Sequence, residues 1–429
     1  MKTIEGYDVK IFTDNVEETA LSQIRELVSI DVFSDKKIRI MPDVHAGAGC
    51  VIGFTGNLGD KVIPNIVGVD IGCGMRVVSI GNLKDIDFFA NQSDSVDYHA
   101  FNEHIRNNVP SGKIVRESRF GFKPLAGEEM DIYREAKELV RKMYCYRDLK
   151  DTARINKAIG SLGGGNHFIE LDRDDEENVY LVIHTGSRNL GKQVADIYQA
   201  RAIKHLTDGA DEFEESIRRI IEEYKAAGRK SELQDIIKKM RRENRSGVPR
   251  LPRDLCYVEG EAREQYLHDM RLCQKWAVLN RRLIAMLLLG FFGQKESEAR
   301  WFESVHNYIS DDNMIRKGAI SAGNGEQCII PLNMRDGSLI CTGKGNAEWN
   351  CSAPHGAGRV LSRSQAYEKI TMEDFEASMT GIYSESVNDF TRDESPMVYK
   401  PASEIIANIG DTVTIDKIIR PIFNFKASK

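Results

Sequence analysis

The sequence lacks any apolar run long enough to cross a membrane. Its longest apolar stretch, Leu283 to Phe292, is interrupted by Gly290, whereas a membrane-spanning helix needs roughly 20 apolar residues. The first twelve residues, MKTIEGYDVKIF, contain no apolar signal core. We therefore expect a cytoplasmic protein that does not insert into a membrane.

The eight cysteines are scattered and form no C-x-x-C pair. This absence argues against a structural zinc finger. A chain of 429 residues is also large enough to need no disulfide bonds. The cysteine pattern therefore indicates a reducing compartment with mostly packed thiols.

An excess of positive charge is also missing. The chain has 59 lysines and arginines against 65 aspartates and glutamates, a formal net charge of -6. A nucleic-acid site would therefore have to be a local basic patch. Repeats, low-complexity tracts and proline-rich linkers are absent as well, so we expect one α+β domain over residues 1–429, with a helical excursion at about 205–255.

The hydrophobic pattern predicts a mixture of helices and short strands. We expect Gly228 to divide the charged segment 211–250 into two helices, and the region after Arg316 to consist of short strands and turns. The other predicted elements are helices at Val16–Val28, 130–158 and Gly260–Leu289, a helix that runs through His205, and strands at Lys37–Met41, 51–56, 62–69 and 179–184.

Two common catalytic motifs do not occur. The string TGKGN at 342–346 is not a P-loop, because Gly337 lies one residue too far away and Lys344 is followed by glycine. The G-x-S-x-G elbow of many serine hydrolases is absent. A bound nucleotide would therefore be held by another kind of site.

Five of the nine histidines lie at strand ends or in glycine-bearing turns, where scaffolds display functional groups. They are His45, His167, His184, His306 and His355. The other four, His99, His104, His205 and His268, lie in helix-like surroundings and are expected to be packed or superficial.

Asp70 and Cys73 are three residues apart between glycines. By itself this spacing also fits a turn with a buried cysteine. Together with the turn-borne histidines, however, thiolate, imidazole and carboxylate groups favour a transition-metal site.

Three arginines suggest phosphate binding. Arg188 lies in a turn between a buried strand and a helix, and a helix N-terminus beside an arginine attracts anions. Arg359 and Arg363 would share one face of a helix. A capped turn and a solvated helix face are the structural alternatives for these segments.

Seven motifs occur in the order found in the RtcB-type RNA ligases, which are GTP-dependent 3′-phosphate RNA-splicing ligases. These motifs are MPDVHAGAGCVIG, IVGVDIGCGM, LGGGNHFIE, HTGSRNLG, VHNY, RKGAI and HGAGRVLSR. The chain resembles this family from about Met41 to Lys426, and the resemblance implies an RtcB-like fold.

The resemblance also implies a metal centre and a covalent mechanism. Two Mn²⁺ ions would share Cys73, with Asp70 and His167 at one ion and His184 and His306 at the other. Zn²⁺ and Co²⁺ suit the same ligands. His355 would attack GTP and carry GMP, which then activates an RNA 3′-phosphate for sealing to a 5′-hydroxyl in RNA repair or tRNA splicing. A 2′,3′-cyclic phosphate would first be opened, and an archease-type activator is a further expected partner.

Other site residues follow from the same resemblance. Asp43 and His45 match positions near the metals, and Arg188, Arg359 and Arg363 match residues that would meet RNA or nucleotide phosphates. The guanylate pocket would comprise Asn166, Phe168, Glu170, Asn333, Ser338, His355, Gly356, Gly358, Tyr399 and Lys426.

The chain departs from the family pattern at two places. Pro331 to Arg335 replaces P-G-S-M-G, and Pro354 stands where a cysteine is common. These changes affect the expected nucleotide pocket and the preferred RNA more than the chemistry.

Two other functions fit parts of the pattern. A dinuclear-metal phosphoesterase or nuclease acting on RNA would use the same metal ligands to activate water. It would not need His355 in its glycine turn. A non-catalytic RNA-binding protein would have no use for the complete set of ligands.

Overall fold

Two large sheets form the framework of the computed structural model, which describes residues 1–90, 96–229, 232–243 and 251–427. The strands are β1 (Lys2–Thr3), β2 (Val9–Ile11), β3 (Ile38–His45), β4 (Ile52–Asn57), β5 (Lys61–Val62), β6 (Gly74–Asn82), β7 (Phe168–Arg173), β8 (Asn178–Thr185), β9 (Val258–Glu259), β10 (Arg300–Val305), β11 (Asn307–Ile309), β12 (Met314–Lys317), β13 (Ala319–Ser321), β14 (Gln327–Asn333), β15 (Gly337–Gly343), β16 (Ser352–Pro354) and β17 (Val413–Lys426).

Helices of very different length surround these sheets. They are α1 (Glu18–Val28), α2 (Pro64–Val67), α3 (Asp87–Ala90), α4 (Tyr98–Asn108), α5 (Glu128–Arg141), α6 (Thr152–Lys157), α7 (Arg188–Ala226), α8 (Leu233–Glu243), α9 (Gly260–Leu289), α10 (Arg363–Lys369), α11 (Met372–Ser378) and α12 (Ala402–Ile409). The expected α+β fold class is thereby confirmed.

The two sheets differ in strand direction. The six-stranded sheet has the order β1-β2-β3-β4-β12-β11, with β2 and β3 parallel. The seven-stranded sheet has the order β10-β6-β8-β7-β17-β15-β14, and its neighbouring strands are antiparallel. Antiparallel order brings the end of one strand beside the start of the next, so residues from distant parts of the chain meet at one sheet edge.

Strands β7 and β8 form the centre of the seven-stranded sheet. Strand β8 has the sequence NVYLVIHT and is mostly buried, which suits its β-branched residues. In β7, alternation places Phe168, Glu170 and Asp172 on one face and Ile169 and Leu171 on the other. Carboxylates are uncommon on the face of a buried strand, so Glu170 and Asp172 indicate a role other than core packing.

Helix α9 covers one face of this sheet. Its 30 residues contact the strands β6 and β8 and also the helices α5 and α7. Trp276, Leu283 and Ile284 are fully buried along it. The predicted bounds of this helix, Gly260–Leu289, are confirmed, because its broad apolar face follows the helical period.

Three predictions need correction. Segment 62–69 is not a strand: Pro64, which has no N–H for a ladder, starts the short helix α2. The helical region predicted at 130–158 is interrupted, because α5 ends at Arg141 and α6 begins only at Thr152. The region after Arg316 contains three helices and the 14-residue strand β17 besides its short strands.

The predicted division at Gly228 is confirmed, since Gly228 lies in the left-handed region (φ +74°) between α7 and α8. Residues 230–231 and 244–250 of the predicted helical excursion lie outside the described residues. Within the described ranges, no helix combines the length and the apolar character that crossing a membrane requires.

Candidate active site

Four of the predicted metal ligands lie at the ends of neighbouring strands in the seven-stranded sheet. Cys73 precedes β6, His167 precedes β7, His184 is close to the end of β8, and His306 follows β10. Register explains their proximity, because His184 pairs with Met75 in β6 and with Phe168 in β7. The backbone N–H of His306 donates to the Cys73 carbonyl at 3.0 Å.

The ligand atoms of three residues form a tight cluster. The Cys73 Sγ lies 3.5 Å from His167 Nε2 and 3.4 Å from His184 Nε2. One potential ligand atom from each of the three residues lies within 4.8 Å of the others. Asp70 extends the group, with Oδ2 3.0 Å from His167 Nε2, and the His306 ring centroid is 5.2 Å from that of His184.

Burial sets the protonation of this cluster. It lowers the pKa of His184 and of His306 well below the usual value, so both rings are neutral and can offer a lone pair. Burial, and then the charge of Asp70, raise the pKa of the Cys73 thiol well above its usual value. A thiolate here therefore needs a nearby cation.

The surroundings of Asp70 also fit a bound cation. Burial acts to raise the pKa of Asp70, but His167 and Arg188 outweigh it and hold the pKa below the usual value. Oxygen Oδ1 of Asp70 is buried and has no hydrogen-bond partner within the described part of the chain. A Cβ at Gly186 would lie 2.3 Å from this oxygen. The carboxylate, thiol and imidazoles thus form a donor set that suits a transition metal.

His355 lies beside the cluster, with its ring centroid 4.9 Å from that of His306. Its Nδ1 is 2.6 Å from Oδ2 of Asp43, a fully buried residue of β3. With the carboxylate accepting from Nδ1–H, Nε2 carries the lone pair. His45 lies nearby, with its Nδ1 2.9 Å from the Asp43 carbonyl oxygen.

Two glycines permit the approach of His355 to Asp43. A Cβ at Gly358 would lie 2.4 Å from the Asp43 carbonyl oxygen, and one at Gly318 would lie 3.2 Å from Cε1 of His355. Both glycines have positive φ, at +76° and +59°. Gly358 in HGAGR and Gly318 in RKGAI therefore allow the backbone segments to approach one another closely.

A cavity of about 310 Å³ extends from the metal-ligand cluster. Nine of the ten residues predicted for the guanylate pocket line it; they are Asn166, Phe168, Glu170, Asn333, His355, Gly356, Gly358, Tyr399 and Lys426. Asp70, Cys73, His184, His306 and His45 also contribute to its wall. Ser338 does not line it; this residue is fully buried, and its Oγ has no hydrogen-bond partner in the described ranges.

Glu170 lies in the wall of this cavity and is almost fully buried. Its Oε1 accepts a hydrogen bond from Asn424 Nδ2 at 2.5 Å. Burial raises the pKa of Glu170 to about 7, although Asn424 and Lys426 act in the opposite direction. Asp172, two residues along the same face, is fully buried, and none of the described residues forms a hydrogen bond with either of its carboxylate oxygens.

Glu394 is a site residue that sequence reasoning missed. Its Oε2 accepts from the Tyr399 hydroxyl at 2.6 Å and from Lys426 Nζ at 3.2 Å, and its Oε1 lies 3.4 Å from Arg359 and 3.9 Å from Arg363. The local string TRDESP carries no glycine turn or metal-ligand pattern. No signal in the sequence distinguishes this carboxylate from surface acids.

A phosphate-binding role for Arg188, Arg359 and Arg363 stays a prediction, but the local structure predicted around them was wrong. Arg359 and Arg363 do not share a helix face, because α10 begins at Arg363; both approach Glu394 instead. Arg188 is the first residue of α7 rather than part of the preceding turn. Its Nη1 lies 3.2 Å from His167 Nδ1, and it lines a second cavity, not the first.

Comparison with known proteins gives a consistent result. Residues 23–427 match the family model described as tRNA-splicing ligase RtcB. The chain is 28% identical to the RNA-splicing ligase RtcB of Escherichia coli K12, over 98% of this chain and 97% of that protein. It is 27% identical to the tRNA-splicing ligase RtcB of Aeropyrum pernix, over 89% of this chain and 86% of that protein.

Proposed function

The chain belongs to the RtcB family of RNA-splicing ligases, and from this premise we propose that it joins RNA strands at the expense of GTP. One substrate would carry a 3′-phosphate or a 2′,3′-cyclic phosphate, and the other a 5′-hydroxyl. We assign the activity to the whole chain, residues 1–429, acting as one ligase domain in RNA repair or tRNA splicing. An archease-type protein is the expected activator.

The observation that carries this proposal is the contact between His355 and Asp43. Asp43 holds the proton on Nδ1, so Nε2 is free to attack. The Nε2 lone pair would form a bond to the α-phosphorus of GTP while the bond to the β-phosphate oxygen breaks. Pyrophosphate leaves, and His355 keeps GMP through a P–N bond.

Two further transfers would complete the reaction. An oxygen of the RNA 3′-phosphate attacks the phosphorus of the held GMP, the P–N bond breaks, and the imidazole is restored. The 5′-hydroxyl oxygen then attacks the RNA 3′-phosphorus, loses its proton, and displaces GMP. A 2′,3′-cyclic phosphate would first add water across one P–O bond to give the 3′-phosphate.

We assign two Mn²⁺ ions to the ligand cluster, with Zn²⁺ and Co²⁺ suited to the same donors. Asp70, Cys73 and His167 would hold one ion, and Cys73, His184 and His306 the other. When bound, such ions polarise phosphate oxygens and offset their negative charge. The buried thiol of Cys73 and the unpartnered oxygen of Asp70 support this assignment.

The far end of the first cavity would hold the guanine. Glu170 can accept from the N1 and N2 hydrogens of guanine, which adenine does not offer in that arrangement. Phe168 and Tyr399 supply aromatic surface, and Lys426 lies 3.5 Å from the Asn166 carbonyl oxygen. Arg359 and Arg363, on the same wall, would meet phosphates of the nucleotide or the RNA.

A labelling and sealing assay tests the proposal. With Mn²⁺ and GTP labelled at the α-phosphate, we expect acid-labile label on the protein, followed by joining of 3′-phosphate and 5′-hydroxyl RNA. His355→Ala should abolish labelling, and His205→Ala, which changes an exposed histidine of α7, should not. Cleavage of RNA without protein labelling would instead identify a metal-dependent nuclease.

A further inference from the structure

Two neighbouring polar residues of α9, Asn280 and Arg281, are fully buried among the apolar side chains of that helix. Burying an amide or a guanidinium costs free energy unless the polar group finds partners inside the protein. Both side chains find partners on the backbone of the segments that carry the metal ligands. Helix α9 therefore contributes more than apolar packing to this side of the cluster.

The Nη1 atom of Arg281 joins the segments that carry Cys73 and His184. It donates to the carbonyl of Gly72, the residue before Cys73, at 2.9 Å. It also donates to the carbonyl of Thr185, the residue after His184, at 2.9 Å. Because the two hydrogens of a planar guanidinium nitrogen point in fixed directions, these bonds set the spacing between the two backbone segments.

The other end of the Arg281 guanidinium reaches the strand that leads to His306. Nη2 of Arg281 donates to Oε2 of Glu303 at 2.9 Å, and Glu303 lies on β10. Arg281 thus contacts the chain near three side chains that the proposed metal centre assigns to one ion, namely Cys73, His184 and His306.

Close packing adds to the effect of these hydrogen bonds. Gly72 lies directly against α9, since a Cβ at this position would be 2.9 Å from Cα of Gln274 and 3.2 Å from Cβ of Ala277. Its φ of +73° also lies in the region that favours glycine. The segment that carries Cys73 therefore has little room to shift relative to the helix.

Asn280 connects neighbouring parts of the site to the same helix. Its Oδ1 accepts from the backbone N–H groups of Gly160 and Ser161, at 2.8 and 3.1 Å. Its Nδ2 donates to the carbonyls of Ser161 and Gly186, at 3.0 and 3.2 Å. Two adjacent residues of α9 therefore hold several backbone segments around the ligand cluster.

The ionic group around Arg281 consists of three arginines and two glutamates. Glu303 also pairs with Arg76 at 2.9 Å. Glu296 pairs with Arg76 and, at 3.3 Å, with Arg282. Removing one arginine charge leaves equal numbers of both signs. Buried ion pairs contribute little net stability compared with well-packed apolar residues, which favours a positional role for Arg281.

We propose that Arg281 is a positioning residue for the metal centre, which holds Cys73, His184 and His306 at the separation that one metal ion requires. The inference rests on the metal assignment in the proposed function and extends it to a residue that is not a ligand. Groups that orient metal ligands typically change metal affinity by roughly 10- to 100-fold when they are replaced.

Metal binding to the purified apoprotein tests this role without relying on catalytic activity. For Arg281→Met and Arg281→Lys we expect the Kd of Mn²⁺ to rise roughly 10- to 100-fold. Lysine keeps the positive charge but lacks the planar pair of donors. It therefore also separates a need for the charge from a need for the geometry.

Arg76→Met is the matched control for these variants. Arg76 is fully buried and also pairs with Glu303, so the substitution removes the same charge from the same ionic group. Among the described residues, however, the Arg76 side chain donates hydrogen bonds only to Glu296 and Glu303. The Kd of Mn²⁺ in Arg76→Met should therefore stay close to the wild-type value.

Cobalt spectroscopy separates positioning from a general loss of stability. At saturating Co²⁺ the absorption bands report the arrangement of ligands at the metal, and we expect them to change in Arg281→Lys. A variant that is merely less stable gives the wild-type bands once it is folded and loaded.

Wild-type Mn²⁺ affinity in Arg281→Lys would overturn the proposal, and so would a wild-type cobalt spectrum or an equal loss of affinity in Arg76→Met. If the wild-type protein itself binds neither metal, the metal assignment of the proposed function fails, and the role of Arg281 fails with it. A metal-replete wild-type protein that takes no label from GTP would overturn the ligase function alone.

Discussion

The Nδ1 atom of His355 lies 2.6 Å from a carboxylate oxygen of Asp43, although the two residues are 312 positions apart in the chain. Asp43 is fully buried, and its other oxygen has no hydrogen-bond partner among the residues that the structure describes. The pair resembles the carboxylate–imidazole couple of other nucleophilic enzymes, in which the acid fixes the tautomer of the ring.

Asp43→Asn should slow the attachment of GMP by about 100-fold or more, because an amide that donates to Nδ1 would place the ring proton on Nε2. The measurement is the rate at which labelled GTP modifies the protein, with metal content checked in parallel. Asp411→Asn, at an exposed position, is the control. Labelling at the wild-type rate would remove Asp43 from the reaction.

His355→Ala should fold and bind both metals but form no covalent guanylate. The residue is not one of the five assigned metal ligands, so its loss should spare the metal centre. RNA supplied with a pre-formed 3′-guanylylated end should still be sealed, since that substrate bypasses the first two steps. A folded variant that still takes label from GTP would contradict the assignment of His355 as nucleophile.

Cys73→Ala should reduce metal binding at both sites rather than at one. The Cys73 sulfur lies within 3.5 Å of an imidazole nitrogen assigned to each ion, so a thiolate here can bridge the two. Metal analysis of the purified protein after dialysis gives the stoichiometry. Cys328→Ala, a buried thiol outside the cavity, is the comparison, and two tightly held ions in Cys73→Ala would exclude the bridging role.

Glu170→Ala should weaken the use of GTP and reduce the preference over ATP by roughly 10- to 100-fold, since the pocket loses its acceptor for the guanine edge.

The pKa of Glu170, raised to about 7, adds a pH dependence. The carboxylate that accepts these hydrogens is lost as the pH falls through 7, so wild-type preference for GTP should decline from pH 8 to pH 6. Competition between GTP and ATP measures both effects, and a pH-independent preference would contradict the second.

Asp172→Asn should stabilise the protein at alkaline pH. Burial, and then the charge of Glu170, raise the pKa of Asp172 well above its usual value. A carboxyl whose pKa is raised in the folded state destabilises the fold when the pH rises above the pKa of that carboxyl in the unfolded chain. The free energy of unfolding then falls by about 1.4 kcal/mol per pH unit. The gain from Asp172→Asn should therefore grow from pH 5 to pH 8.

Denaturant unfolding at these two pH values provides the measurement for Asp172. Asp175→Asn is the matched control, since the Asp175 side chain is exposed and pairs with Arg420. An equal pH dependence of unfolding in wild type and Asp172→Asn would show that Asp172 is not a buried, protonated carboxyl.

Much of the site was visible in the sequence because each candidate carries a local signature. The five histidines in turns and the Asp70–Cys73 spacing could be recognised as candidates from the residue types and the neighbouring glycines alone. Helix α9 and strand β8 were predictable for a similar reason, since hydrophobic periodicity acts within a single element. Segment 62–69 was misread because its apolar residues fit a strand, whereas Pro64 begins a helical turn.

The sequence by itself determined which chemical groups were available and which local elements would carry them. Tertiary structure alone decided which groups meet. Glu394 became the shared partner of Tyr399, Lys426 and two arginines, and Asn424 the donor to Glu170, through the pairing of β17 with β7 and the packing of distant loops. The physical reason is range: propensity and periodicity act over a few residues, whereas strand register and close packing join residues hundreds of positions apart.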